Sequence, residues 1–240
     1  MKKLVLLLLI VPFVGTAQFE DILKKATAKV STISNTNDVL DISAGLKEAL
    51  NKGITERVSK LTATDGFYKN EAVKILMPDE LAKVDKTLRK IGMSNLADEG
   101  IKALNRAAED AVKEASPLFV SAIKDITIKD AKSILLGNEN AATLYLQTAT
   151  TTALYSKFSP VVQQSIGKVG ADVIWNSIIK KYNTLPLVSK VNPDITDYVT
   201  NKALEGVFKM ITVEEKSIRT NLNARTSDVL KKVFALQDKK

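Results

Sequence analysis

Apolar residues recur along this chain at intervals of three and four, the repeat that gathers them on one face of an α-helix. Phe19 to Ile33 carries a short amphipathic stretch, followed by a polar linker at Ser34 to Asp38. From Val39 to Leu61, the residues Leu40, Leu46, Leu50, Ile54, Val58 and Leu61 keep helical spacing. Gly45 and Gly53 weaken that helix and point to a close approach or a bend. Asp65-Gly66 is a turn signal. Phe67 to Met77 is the one extended-looking stretch, with Val73 to Met77 as a strand or an extended loop.

Beyond it the helices announce their own ends. Pro78, followed by Asp79 and Glu80, suits a first helical turn, and that helix runs to Gly92. Ser94 is placed to cap the next, in which Ala97, Ile101, Leu104, Ala108, Ala111 and Ala115 form a narrow small-residue stripe. That stripe stops before Pro117, and Pro117 to Asp125 opens another turn or two. Thr127 and Asp130 have capping-box spacing, and Gly137 suits the position just past a helix end. Asn140 caps a helix through Phe158, and Pro160 starts a further helix bearing Val162, Ile166, Val169, Val173, Ile178 and Trp175. Leu185 to Pro193 is a proline-bounded loop. Asp194 caps a long helix to about Arg219, and Thr226 or Ser227 caps a last one with Val229, Leu230, Val233 and Phe234.

The pattern predicts an all-α, single-domain bundle of roughly nine or ten helices with at most a short β-hairpin near 67–77. No internal repeat of 20–50 residues is visible. The expected organisation is a signal peptide at 1–17, an N-terminal helical arm at 18–64, a helical core domain at 65–236 and a disordered polar tail at 237–240.

The signal is read from Lys2 and Lys3, the apolar run Leu4 to Val14, and the small residues Gly15 and Ala17. The run falls short of the roughly 20 residues that span a bilayer, so cleavage after Ala17 and a periplasmic or secreted product are expected, with no transmembrane segment left. The formal charge is +8, and with lysines spread along the chain it is read as serving solubility rather than attraction to anionic envelope surfaces; no nucleic-acid partner is expected. The chain has no histidine and no cysteine. That excludes disulfides, a lipid-anchoring cysteine, imidazole bases, Ser-His-Asp and Cys-His nucleophiles and ordinary zinc sites. No calcium loop, phosphate-binding glycine loop or nucleotide fingerprint is present, so neither a metal nor a cofactor is expected.

Several stretches resemble a bacterial domain of unknown function, family number 4197. They include Ala44 to Leu50, Asp65-Gly66-Phe67, Asn105 to Ala111, and Asp130-Ala131 with Ile134-Leu135 and Gly137. Ala142-Thr143 with Tyr145, Phe158 with Pro160, and Tyr198 to Thr200 with Lys202 to Leu204 and Gly206 match it as well. So do Glu215, Ile218-Arg219, Ala224 to Thr226 and Leu230 to Phe234. The resemblance implies an exported helical protein without assigned activity and supplies no catalytic residues.

The candidate ligand-binding residues are Asn105, Arg106, Glu109, Glu215, Arg219 and Arg225. Asn105 and Glu109 are four apart and share a helix side, either as a polar patch at a cleft mouth or as an inter-helix hydrogen bond beside an ion pair. Asp130 is an acid candidate, more simply explained as half of the Thr127 cap. Glu215 and Arg219 have ion-pair spacing, and Arg219 with Arg225 could hold a phosphate or carboxylate, or else pair with acids and cap carbonyls. Polar groups flanking apolar stripes tend to meet where helices pack, so Asn105, Arg106, Glu109, Arg219 and Arg225 are expected to draw together, as a structural clasp or the wall of an anion-binding cleft. Tyr145, Tyr155 and Phe158 line an apolar pocket or are plain core.

The leading functional expectation is a non-enzymatic envelope protein that binds a partner or acts structurally. The alternative is a small-molecule or lipid-binding protein with an apolar cavity between helices. A carboxylate-dependent hydrolase is the third.

Overall fold

The computed structural model describes residues 36–78, 94–168, 194–225 and 227–238 continuously, with single positions between them. The expected signal peptide at 1–17, the amphipathic stretch read at 19–33, the helix expected after Pro78 and the loop expected at 185–193 lie outside those runs. The chain divides after Ile42, and Ser43–Lys240 forms one compact unit. That division falls within the arm expected at 18–64. Leu46, Ile54, Val58 and Leu61 are buried in the core of the larger unit, so most of the first helix belongs with it.

That helix, α1, spans Thr36–Thr62 and so begins inside the stretch expected to be a linker. It is followed by α2 (Ser94–Val112), α3 (Ala115–Lys124), α4 (Ile128–Leu136), α5 (Ala141–Gly167), α6 (Ile195–Thr220) and α7 (Asp228–Phe234). A 3₁₀ turn at Leu222–Ala224 joins the last two. The fold is all-α, and no strand occurs among the described residues. Six of these helices have nine residues or more, fewer than the nine or ten expected.

One reason for the smaller number is Pro160, which does not start a helix but lies inside α5. A proline removes one backbone donor and crowds the preceding turn. Here it is exposed, so water can reach the freed carbonyl. Phe158 and Val162 on either side are fully buried, which holds both halves of α5 against one core.

The centre of the bundle is α2, α5 and α6 packed against one another, with α3 and α4 laid on α5. The small-residue stripe of α2 works as its spacing suggests: Ala97, Leu104, Ala108 and Ala111 are buried. They face a core that includes Leu146, Leu154 and Ile166 of α5 and Val199, Ala203 and Val207 of α6. Small side chains let helix axes approach, and the larger residues opposite fill the space between them.

Three of the expected caps form. Thr127 and Asp130 make a reciprocal capping box at α4, Asp194 accepts from the amides of Thr196 and Asp197, and Ser227 accepts from that of Leu230. Asn140 stands at the start of α5 but makes no side-chain capping bond. The amides it was expected to satisfy have another partner, described below.

After α1 the chain turns sharply. Asp65 has a φ of 70°, and the Gly66 amide donates to the Ala63 carbonyl at 2.9 Å. A Cβ on Gly66 would strike the carbonyl oxygens of Lys60 and Leu61, so only glycine fits. This turn delivers Phe67 into the core, where it is fully buried against Gly206 of α6. A Cβ at Gly206 would lie 2.6 Å from the Phe67 ring.

Candidate functional site

The six candidate residues form two groups, one on α2 and one on α6 and the turn that follows it, and each group binds its own set of partners. Neither hydrogen bonds nor ion pairs gather Asn105, Arg106, Glu109, Arg219 and Arg225 into the one cluster expected of them. No hydrogen bond or ion pair among the described residues joins Asn105, Arg106 and Glu109 to Glu215, Arg219 and Arg225. The physical reason is local supply: each group meets unpaired backbone within its own neighbourhood and is satisfied there.

The first group, on α2, holds the segment that follows α1. The Asn105 side chain is fully buried and addresses one residue twice. Its Oδ1 accepts from the Ile75 amide at 2.8 Å, and its Nδ2 donates to the Ile75 carbonyl at 2.8 Å and to the Ile101 carbonyl at 2.7 Å. Ile75 thus obtains from one side chain the two bonds a neighbouring strand would have given it. This explains why the β-like stretch 73–77 is stable without a hairpin. Four residues on, Glu109 Oε1 accepts from the amides of Phe67 and Tyr68 at 3.0 and 3.3 Å. Its other oxygen pairs with Arg106, whose second branch reaches Asp65 at the sharp turn.

Asp65 and Glu109 therefore straddle one guanidinium. Asp65 is not among the candidates, and the shift at its carboxyl runs against a role as general acid. Lys69 and Arg106 hold the Asp65 carboxyl below its ordinary range, whereas a general acid needs the opposite shift. Arg106 is raised in turn by Glu109 and Asp65.

The second group, on α6, clamps the corner between α4 and α5. Glu215 Oε1 accepts from the Ala142 amide, and Oε2 accepts from both the amide and the hydroxyl of Thr143, all at 2.8 Å. A carboxylate here meets the positive end of the α5 dipole. One turn later on α6, Arg219 donates to the carbonyls of Ile134 and Leu135 at 2.7 and 3.1 Å, at the negative end of α4. Arg219 and Glu215 also bond each other at 2.8 Å, with both side chains buried. A single pair at i,i+4 thus serves two helix ends of opposite polarity.

Arg225 closes the C-terminal end of α6. Its Nε donates to the Ile218 carbonyl at 3.0 Å and Nη2 to that of Arg219 at 3.1 Å. Its outer edge forms a fork on Asp238, with Nη2 2.9 Å from Oδ1. Gln237 accepts from Arg219 at 3.1 Å, so two residues of the expected disordered tail are engaged. The Phe234 ring has the Arg219 guanidinium 5.6 Å and the Arg225 guanidinium 5.7 Å from its centroid, close enough for cation–π attraction to each.

The remaining candidates resolve simply. Asp130 serves the Thr127 cap, and the bonds from Thr127 hold its carboxyl below the ordinary range. Phe158 is core, and the Tyr155 hydroxyl donates to Asp197 at 2.7 Å. Neither lines the small apolar crevice between α1, α6 and α7. That crevice, bounded by Leu46, Leu50, Ile54, Ile211, Ile218 and Phe234, has about 30 Å³ for solvent-sized occupants. Sequence reasoning missed Thr143, Asp65, Gln237 and Asp238. Asp65 carried a turn signal, but nothing local marks a residue whose partner lies between 13 and 72 positions away.

Among the described residues, no three acidic side chains gather to hold a metal ion, and no helix is long and apolar enough to cross a membrane. No curated protein and no solved structure matches the chain. The stretch from α1 through α7 is what a family model describes. The chain belongs to the family of proteins of unknown function DUF4197, whose model matches residues 35–235.

Proposed function

We propose that the chain is an exported, non-enzymatic helical module of the cell envelope that works through a partner protein or as a structural element. The observation that supports this reading is the state of the family-like polar motifs. Asn105, Glu109, Glu215 and Arg219 all bond within the fold, mostly to backbone at helix ends and turns. Polar groups satisfied in this way hold a scaffold together, whereas a catalytic group needs free valence directed at a substrate. Export rests on the charged, apolar and small-residue pattern of Met1 to Ala17.

Binding of a lipid or other small molecule in the core is the weaker reading. The apolar crevice has about 30 Å³, which suits a water molecule and would have to open widely for an acyl chain. The deciding experiment is native mass spectrometry of the wild-type protein purified from its own envelope fraction. The expected result is a chain beginning at Gln18 in complex with another protein, or free of ligand. A retained Met1 to Ala17 segment refutes export, and a stoichiometric small molecule favours the cavity reading instead.

A further inference from the structure

Arg225 is 2% exposed at its side chain, while the Asp238 carboxylate covering it is 41% exposed. The two sides of that pair are held very differently. The guanidinium is fixed from behind by the Ile218 and Arg219 carbonyls, bonds that belong to the end of α6 and do not involve Asp238. Asp238 sits in the turn after α7, tied by its own amide to the Phe234 carbonyl at 3.3 Å. Beside it Gln237 accepts from Arg219. Arg219, Arg225 and Phe234 lie inside the family-matched stretch, and Gln237 and Asp238 lie beyond it.

A rigid, forward-facing guanidinium fork is built for bidentate carboxylate recognition. We infer that the outer edge of Arg225, flanked by Phe234 and Arg219, is a carboxylate-binding notch that residues 237 and 238 fill in cis, and that an acidic peptide segment of a partner protein occupies it in trans. This rests on the partner-binding reading and supplies it with a chemistry. The incoming segment presents an amide oxygen to Arg219 and, at the next residue, a carboxylate to Arg225. Displacing Asp238 exchanges one carboxylate for another, so Arg225 is never left buried and unpaired, the costly outcome for an interior charge. The exposed side of the notch is where exchange begins, because water and the incoming acid reach Asp238 there.

The test uses the full chain carrying Asp238→Ala, with Asp238→Asn as the shape-preserving variant should the first not fold. The probe is a blocked peptide of sequence Ala-Leu-Gln-Asp, copying residues 235–238, and its Asn analogue. At saturation the Asp peptide is expected to raise the melting temperature of the variant by about 2–4 °C, and the Asn analogue and matched sodium chloride to leave it unchanged. Wild-type protein, whose notch is filled, is expected to respond less. No response to the Asp peptide, or an equal response to the Asn analogue, overturns the notch. Equal rescue by the same concentration of acetate makes it a small-carboxylate site and overturns the peptide assignment. None of these failures decides partner binding itself, which native mass spectrometry of the wild-type chain tests separately.

Discussion

Glu215 of α6 caps α5 through Thr143, accepting at one carboxylate oxygen from both the backbone amide and the hydroxyl of that residue, each at 2.8 Å. The two residues are 72 positions apart. The bond does for α5 what Asn140 would have done locally, and it welds the helix start to the middle of the bundle. Glu215→Ala is expected to destabilise the protein by about 3–5 kcal/mol, because Arg219 stays buried without its acid. Thr143→Val removes one hydroxyl bond and should cost about 1 kcal/mol. Urea unfolding of both variants checks the ranking. Equal losses would show that Glu215 contributes no more than its bond to the Thr143 hydroxyl.

Asn105 replaces a strand for Ile75, so its loss should be felt at that residue first. Asn105→Leu leaves the Ile75 amide and carbonyl unpaired in a buried place, at about 1–3 kcal/mol for each group. Hydrogen exchange of the Ile75 amide is the direct readout. It should be slow in the wild type and fast in the variant, and an unchanged rate would contradict the assignment.

The two glycines of α1 should respond to alanine with opposite signs. At Gly53 a new Cβ meets Glu214 and Ile218 carbons at 3.7 and 3.8 Å, ordinary contact distances. Gly53→Ala is expected to stabilise by about 0.5–1 kcal/mol through helix propensity. At Gly45 the same atom falls 2.7 Å from a Val233 methyl and 3.0 Å from one of Val229. Valine side chains have few rotamers to retreat into, so Gly45→Ala should destabilise by about 1–3 kcal/mol. Melting temperatures of the pair decide it, and a shared sign would mean that α7 does not press on α1.

Acid should weaken the fold through carboxylates that their partners hold ionised. Lys69 and Arg106 lower Asp65 below its ordinary 3.8, the Thr127 bonds lower Asp130, and Arg225 lowers Asp238. Each group binds its proton less readily folded than unfolded. Its contribution is therefore complete above the unfolded value and lost as pH falls through the lower folded value. The urea midpoint should drop between about pH 5 and pH 3, and Asp238→Asn should reduce the drop. Identical midpoints at the two pH values for the wild type would refute the assignment.

Much of this protein is legible in one dimension because much of its physics is local. Helical spacing announced the class of the fold. The bonds that cap α4, α6 and α7 run from Thr127, Asp194 and Ser227 to amides within three residues, so the signal and its effect share one stretch of sequence. The buried stripe of α2 was readable for the same reason, since one face of one helix sets it. The roles of the candidate residues were not. Glu109 is matched to the Phe67 amide, Glu215 to Thr143 and Arg225 to Asp238, partners set by how α1, α2, α5, α6 and α7 pack. Pro160 misled because its effect depends on what flanks it: an exposed ring between two buried residues continues a helix that the same proline would end elsewhere. Sequence alone determined which residues had to find partners, since polarity and spacing are properties of the chain. Only the tertiary structure decided which partners they found, because an unpaired backbone group has no address until the helices carrying it have packed.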